Sequence, residues 1–410
     1  MQERGEKGMR RVVVTGMGVV SAIGASVPAF QAALAEARGG IGPIETIGTE
    51  RLTIRTAAEV KGFVPEERFT STELTVLDRF SQFAVLAGRE AWAMSGLTLT
   101  PQTAVRAACI IGSGAGGQLT IEEGFRRLYE EGKHRVPPFT VPRYMSSAAV
   151  SQVSMDLGLQ GPSFGVSSAC ATATHAIGLG FHMVRGGLAD IAVVGGAEAP
   201  ISMGCVKSWE ALRVVAKDTC RPFCKDRSGM VLGEGAGVFV LETLEAAQAR
   251  GATILAEVVG FGMSADAGDL LSPSMEGAGR AMQAALDDAG LAPEAVGYIN
   301  AHGTGTAAND GVETKAIHHV FGEHAKALMV SSTKSFHGHA LGASGAIELV
   351  ATVFALQTGV IPPTLNYTTP DPECDLDYVP NTPRQAVVDV ALSNSFAFGG
   401  LNAVLALRRF

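Results

Sequence analysis

Cys170 lies in VSSACATATHAIG (166–178), where a strand-like end runs through small residues into an Ala-rich helix. At a helix N-terminus, free N–H groups and the helix dipole favour a thiolate. A thiolate is both a nucleophile and a thioester leaving group. The small neighbours Ser168, Ala169 and Ala171 leave room for a substrate. The pattern alone leaves two readings open, a reactive nucleophile or a buried structural thiol. His302 lies in YINAHGTGT (298–306), at a strand end before a Gly/Thr turn. Such a turn exposes the imidazole and offers hydroxyls and N–H groups to a ligand. His339 shares SSTKSFHGHALGASG (331–345) with Lys334, in a Gly-rich loop entering a helix that contains Glu348. Either histidine alone reads as structural. A cysteine and two histidines, each in a Gly/Ser-rich strand-to-helix turn, point to one shared site. A further landmark, SNSFAFGGLN (393–402), sets Phe396 and Phe398 ahead of a Gly-Gly pair. It reads either as a mobile loop whose backbone approaches a ligand closely or as a β-turn with two core phenylalanines.

The elements that must position these residues follow from short β-branched runs alternating with Ala-rich stretches. Strands are expected at 11–16, 108–111, 191–194, 238–242, 254–261, 387–392 and 403–408, and helices at 27–37, 81–95, 277–290 and 345–358. Alternating β and α over this length predicts a layered α/β protein. A faint repeat accompanies it. Gly-Ser-Gly at 112–114, Val-Ser-Ser at 166–168 and Gly-Gly at 195–196 recur in order as Gly-Thr-Gly at 303–305, Val-Ser-Ser at 330–332 and Gly-Gly at 399–400. Either a Gly-rich chain repeats by chance, or an α/β unit is duplicated with its seam near 255–275.

Bulk properties exclude some classes. The chain is 47% apolar with a net charge of −8, which argues against nucleic acid as a general partner. No apolar run is expected to reach the roughly 18 residues of a membrane-spanning helix. Residues 1–11 are polar and read as a disordered leader rather than a secretory signal. Six cysteines have no framework spacing, and Cys220 with Cys224 lacks the second pair of a zinc site. Free thiols suit a reducing cytoplasm.

These motifs resemble those of the β-ketoacyl-acyl-carrier-protein synthases: SSACAT around Cys170, NAHGTGT around His302, TKSFHGHALGASG around Lys334 and His339, NSFAFGG near the C-terminus, and RPFCKDRSGMVLGEGAG at 221–237. The similarity spans roughly residues 10–410 with the motifs in order. The Cys-His-His set resembles the elongating enzymes, closest to the type II branch. Initiating enzymes use Cys-His-Asn, and thiolases carry a second catalytic cysteine. SFAFGGLNAVLALRR and KSWEAL are similar to nodulation-protein-E-like and specialised polyketide ketosynthases.

The resemblance implies a thiolase-like α/β fold, with duplicated halves at 10–262 and 263–410 in five layers, αβαβα. It implies a homodimer, or a heterodimer with a non-catalytic chain-length factor. The implied reaction condenses a Cys170-bound acyl chain with malonyl-acyl carrier protein. Backbone N–H groups of Cys170 and Phe398 would form an oxyanion hole. His302 and His339 would stabilise the enolate, with Lys334 and Glu348 tuning them. Thr304 and Thr306 would hold the phosphopantetheine arm of the carrier. No cofactor of the enzyme's own is implied beyond a monovalent cation on Asn300, Glu348, Ser393 and Asn394. Phe396, Ala115, Trp209 and Met230 would contact the substrate, and Val141 would reach in from the partner subunit.

Several positions depart from the family pattern. Met230 replaces a phenylalanine thought to aid decarboxylation, and Cys224 replaces an aspartate. Asp269 and Leu271 stand where His and Thr are usual, so one pantetheine hydrogen bond is expected to be missing. Ala397 replaces a glycine, which should stiffen its loop. Ala115 replaces a bulky aliphatic residue, and Trp209 a phenylalanine. The usual basic docking cluster is nearly absent from 70–78. Arg126, Arg127, Lys133, Arg135, Arg143 and Arg213 are the candidate substitutes.

Overall fold

The computed structural model describes residues 9–410, so residues 1–8 of the polar leader lie outside the described residues. The main sheet contains β1 Val12–Ser21, β2 Ala107–Gly112, β3 Ser163–Phe164, β4 Ile191–Glu198, β5 Gly235–Thr243, β6 Ala256–Ala265, β7 Tyr298–Asn300, β8 Met329–Ser331, β9 Val390–Ala397 and β10 Leu401–Arg408. Their order is β8-β7-β9-β10-β6-β1-β5-β4-β2-β3. Divided between β6 and β1, this is one arrangement twice. Each strand of the first half has its counterpart five strands later. The parallel pairs β2·β3 and β2·β4 recur as β7·β8 and β7·β9. The antiparallel pairs β4·β5 and β5·β1 recur as β9·β10 and β10·β6. The halves join where Val12 to Val14 of β1 pair with Val258 to Ala256 of β6.

Helices cover both faces of each half. Helix α1 (Arg79–Ser95) and α2 (Ala148–Leu157) lie on the outer face of the first, and α3 (Thr172–Arg185) on its inner face. Helix α4 (Met203–Leu212) follows β4. Helices α5 (Met275–Ala289) and α6 (Ala307–Phe321) cover the outer face of the second half, and α7 (Ser344–Thr358) lies beside α3 in the middle. The packing explains the patterns. Outer helix α1 is capped by Asp78, ends at left-handed Gly96, and buries one stripe that includes Phe80, Phe83 and Ala84. Central α7 is buried on nearly all sides, as an all-round apolar helix must be. Between the two halves of the sheet, Ile177 and Phe181 of α3 pack with Val350 and Val353 of α7 in one core. The result is α, β, α, β, α, the thiolase-like arrangement.

Three expectations change. Residues 262 and 263 both lie inside β6, so the second repeat begins at least as early as Ala256. The stretch Leu341–Thr358 is long and apolar enough to cross a membrane, contrary to the expectation of no such run, but 89% of it is buried inside the fold. The strand expected at 387–392 is β9, which runs on through Ala397. Most of the SNSFAFGG motif is therefore strand. Only residues 398–400 form the tip of the β9–β10 hairpin, where Ala397 pairs with Leu401. Gly399 and Gly400 take left-handed φ of 80° and 68° there, as a three-residue hairpin tip requires.

Candidate active site

Cys170 is the middle residue of a one-turn 3₁₀ helix, Ala169–Ala171, that opens α3. Ala169 is held at φ 49°, which lifts the next side chain out of the turn. The Thr172 hydroxyl accepts from Ser168 N at 2.8 Å, and the Ser168 hydroxyl meets His175 Nδ1 at 2.8 Å. His302 follows β7. Its N–H and that of Gly303 both donate to the Glu313 carboxylate on α6 at 2.8 Å. His339 is pinned by its own backbone: its N–H donates to Val231 O at 2.7 Å and its carbonyl accepts from Gly233 N at 2.9 Å.

These three loops meet. His339 Nε2 lies 3.1 Å from Cys170 Sγ. The two imidazole rings stand edge to face with centroids 5.5 Å apart. Lys334 and Glu348 form a fully buried ion pair behind them, and Lys334 Nζ also donates to His302 O at 2.6 Å. Cys170, His302, His339, Phe396 and Phe398 open into one cleft, which with its mouth encloses about 770 Å³ of empty space. Thr304, Thr306, Trp209 and Met230 line the same cleft. The two threonine hydroxyls are 2.8 Å apart. The Trp209 ring stacks on Phe398 with centroids 6.0 Å apart. Ala397 lies in β9 without a left-handed φ, so alanine costs no backbone strain there.

Ala115 and Val141 are not brought into this cleft. Ala115 is half-buried in the loop after β2, and Val141 is 54% exposed on the surface of the chain. The electrostatics also depart from expectation. Burial pushes the Cys170 thiol up to about 11, outweighing the Lys334 ammonium and the Phe398 N–H that pull it down. The resting sulfur is therefore a thiol. Burial, with Lys334 nearby, holds both His302 and His339 well below the usual imidazole range, so both rings are neutral at pH 7. Burial also raises the Glu348 carboxyl, against the attraction of Lys334.

The oxygen set expected to hold a cation is partly available. Glu348 Oε2, Ser393 Oγ and Asn394 Oδ1 are buried without a hydrogen-bond partner, which suits a hard cation. Asn300 fits less well, because its amide already donates to Glu348 O and its Oδ1 accepts from Thr333. Cys220 and Cys224 point to separate carbonyls, those of Thr304 and Asn366.

Sequence reading missed the carboxylates that hold the loops. Glu313 anchors 302–303. Asp310 accepts from Phe223 N at 2.7 Å and Gly305 N at 3.2 Å. Glu198, at the end of β4, accepts from residues 113–115 and Gly342. The available signal was acidic residues placed one helical turn apart at the start of α6, and a glutamate ending an otherwise apolar strand.

Comparison with known proteins agrees with this architecture. Residues 9–247 match the family model for the β-ketoacyl synthase N-terminal domain, and residues 255–368 match that for its C-terminal domain. Nodulation protein E of Rhizobium sp. (strain N33) is 52% identical over 400 residues, covering 98% of this chain and 99% of that protein. The 3-oxoacyl-[acyl-carrier-protein] synthase 2 of Staphylococcus aureus (strain COL) is 45% identical over 408 residues, with 98% and 99% covered. The solved structure of the ishigamide ketosynthase/chain length factor matches with a TM-score of 0.94 at 38% identity, covering 98% of this chain and 100% of that one. With both domain models matched in order and relatives aligned over nearly their whole length, the chain belongs to the β-ketoacyl synthase family.

Proposed function

We propose that this β-ketoacyl synthase extends acyl chains held on an acyl carrier protein, with Cys170 carrying the acyl group between two half-reactions. The observation that carries this reading is the 3.1 Å contact between Cys170 Sγ and His339 Nε2, with His302 in the same cleft. In the first half-reaction the Cys170 sulfur attacks the acyl thioester, and the thiol proton leaves with the carrier's sulfur. His339 suits this step. Its Nδ1 meets the Ser344 hydroxyl at 2.8 Å, and a hydroxyl either donates or accepts. With Nδ1–H donating to Ser344, Nε2 is free to take the thiol proton. In the second half-reaction malonyl-carrier loses CO₂, and the electron pair of the broken C–C bond becomes an enolate. That carbon attacks the Cys170 acyl group, and the sulfur leaves and regains a proton from water. Here Ser344 donates to Nδ1, and Nε2–H of His339 joins that of His302 on the enolate oxygen. The Cys170 and Phe398 N–H groups take the tetrahedral oxyanion. Thr304 and Thr306 hold the pantetheine arm. Asn394, Ser393 and Glu348 hold a monovalent cation, supported by their unpartnered oxygens.

The active unit in this reading is a cytoplasmic homodimer. Tyr129 is 80% exposed and Met155 66%. Tyr129 lies beside Phe125 on a helix that packs on the segment of Val141, and Met155 is on α2, which packs on β3 with its exposed Phe164. The short strand β3 ends the sheet with one edge unpaired, which favours pairing with another chain. Free cysteines suit a reducing compartment. The pathway is fatty-acid elongation. A second reading is a polyketide-type subunit that requires a chain-length-factor partner. The likeness to a ketosynthase/chain length factor structure favours it. One experiment separates them: mass measurement of the protein purified alone, followed by condensation with acyl- and malonyl-carriers. An active homodimer supports the first reading. A monomer that gains activity only with a second subunit supports the other. An inactive protein that never acylates Cys170 overturns both.

A further inference from the structure

The duplicated fold carries a second copy of the turn that holds Cys170. A one-turn 3₁₀ helix, Ala169–Ala171, opens α3, and another, Leu341–Ala343, opens α7. The first residue of each has left-handed φ, 49° at Ala169 and 45° at Leu341. Non-glycine residues adopt that conformation at a cost of about 1–3 kcal/mol, so its recurrence marks one device used twice. The middle residue is Cys170 in the first copy and Gly342 in the second. The end of β9 faces Cys170, and its counterpart β4 faces Gly342.

The two copies differ in what fills the space ahead of the turn. Ahead of Cys170 lies the cleft. Ahead of Gly342 lies the carboxylate of Glu198, fully buried. Its Oε2 accepts from Gly114 N at 2.7 Å and Gly342 N at 3.0 Å, and its Oε1 from Ala115 N at 3.1 Å and the Ser113 hydroxyl at 2.9 Å. Converging N–H and O–H donors of this kind make an oxyanion site. A Cβ on Gly342 would sit 2.6 Å from Glu198 Oε2 and 2.4 Å from Gly114 N, so no side chain fits at the position equivalent to Cys170.

We infer that Glu198 is a positioning residue: its carboxylate plugs the degenerate second site and thereby clamps residues 113–115 to the turn that carries His339, fixing the Cys170–His339 contact. Both ends of that contact hang on it. Ser113 N donates to Val166 O at 3.2 Å, just ahead of the Cys170 turn. The Ala169 carbonyl lies 3.8 Å from where a Gly114 Cβ would be. Gly342 follows His339 by one short turn. The inference rests on Cys170 being the nucleophile.

Glu198→Gln tests it, because the new NH₂ group faces an N–H donor in either orientation. The expected result is a fall in condensation kcat of about tenfold or more, with KM for malonyl-carrier within about twofold. Thr304 and Thr306 hang on α6, not on Glu198. Cys170 alkylation at fixed pH stays near its wild-type rate while condensation slows, because the thiol remains in the cleft. A merely loosened fold alkylates faster at every pH. Ser113→Ala removes one donor, gives a smaller loss of kcat, and carries the test where Glu198→Gln does not fold. Wild-type kcat in the folded variant that carries the test overturns the inference, as does kcat and KM failing together. Failure of the wild-type protein to acylate Cys170 overturns the nucleophile reading instead.

Discussion

Lys334 Nζ donates to His302 Nδ1 at 3.4 Å. An ammonium has no lone pair to offer, so Nδ1 must be the acceptor and the ring proton must sit on Nε2, toward the cleft. His339 has no such lock, because its Nδ1 partner is the Ser344 hydroxyl. One ring is thus fixed as a donor, and the other keeps both tautomers within reach. In the proposed mechanism that difference suits His302 to charge stabilisation alone and His339 to proton transfer as well.

Lys334→Ala removes this lock and also strands Glu348, whose partner it is. Removing one member of a buried ion pair costs about 3–5 kcal/mol. The expected outcome is a destabilisation of that order by chemical denaturation, with condensation reduced even where the protein remains folded. An unchanged denaturation midpoint would show that the pair contributes nothing to the fold.

His302→Ala and His339→Ala are each expected to slow condensation by about 10²-fold or more, through loss of enolate stabilisation. Acylation should separate them. Of the two histidines, His339 is the one that touches the sulfur, so His339→Ala slows Cys170 acylation and His302→Ala leaves it nearly unchanged. Intact-protein mass spectrometry at short times reads this directly. Equal acylation rates in the two variants contradict the division of roles.

The same rings give a pH expectation. Burial and Lys334 depress both imidazoles well below 6.5. They are already neutral at pH 6 and gain no proton until far lower. Between pH 6 and 8, condensation should show no inflection from either histidine. A rate that falls with an apparent pKa near that of an ordinary imidazole as pH drops, and loses that inflection in His302→Ala, would count against the assignment.

The meeting of Cys170, His302 and His339 in one cleft was legible because residue type and loop chemistry agree: each sits where a Gly/Ser-rich turn joins strand to helix. The sheet-and-helix alternation was legible for the same local reason. Three things were not. The thiol's raised pKa depends on burial, which the helix N-terminus argument omits. Glu198 and Glu313 look like ordinary solvated charges in the sequence, and only the tertiary fold brings backbone N–H groups to them. The repeat was half legible. Gly112 ends β2 and Gly303 follows the equivalent β7, but Gly195-Gly196 fall inside β4 while Gly399-Gly400 form the hairpin tip after β9. Ala115 and Val141 were placed by resemblance in the acyl pocket, and neither lines the cleft around Cys170.

Cys170 should still be the first thiol alkylated, because it alone among the cysteines lines the cleft. The rate has a defined pH dependence. With the thiol raised to about 11, the thiolate fraction grows about tenfold per pH unit below that value. Labelling by limiting iodoacetamide should therefore climb steadily from pH 7 to 9 without a plateau. Peptide mapping checks both points. A plateau below pH 8, or prior labelling of Cys205, would mean that the sulfur is more ionised or less reachable than its surroundings indicate.

The last expectation concerns which wall sets acyl-chain length. Trp209 stacks on Phe398 with an interplanar angle of 29°, and the hairpin tip is otherwise held by Gly399 N donating to Leu270 O at 2.8 Å. An aromatic pair is worth about 0.5–1.5 kcal/mol beyond its burial. Trp209→Phe keeps a ring against Phe398, whereas Trp209→Ala removes the stack and opens the cleft beside Met230. Each buried methylene contributes roughly 0.8 kcal/mol. Room for two more carbons therefore shifts preference by about 1.6 kcal/mol, on the order of tenfold. The product distribution of Trp209→Ala should move to longer chains, with Trp209→Phe close to the wild type, measured under matched turnover. If a folded and active Trp209→Ala protein keeps the wild-type distribution, this wall does not limit depth. The control then passes to the loop after β2, and Ala115→Phe, in the dimer proposed above, should shorten the products instead.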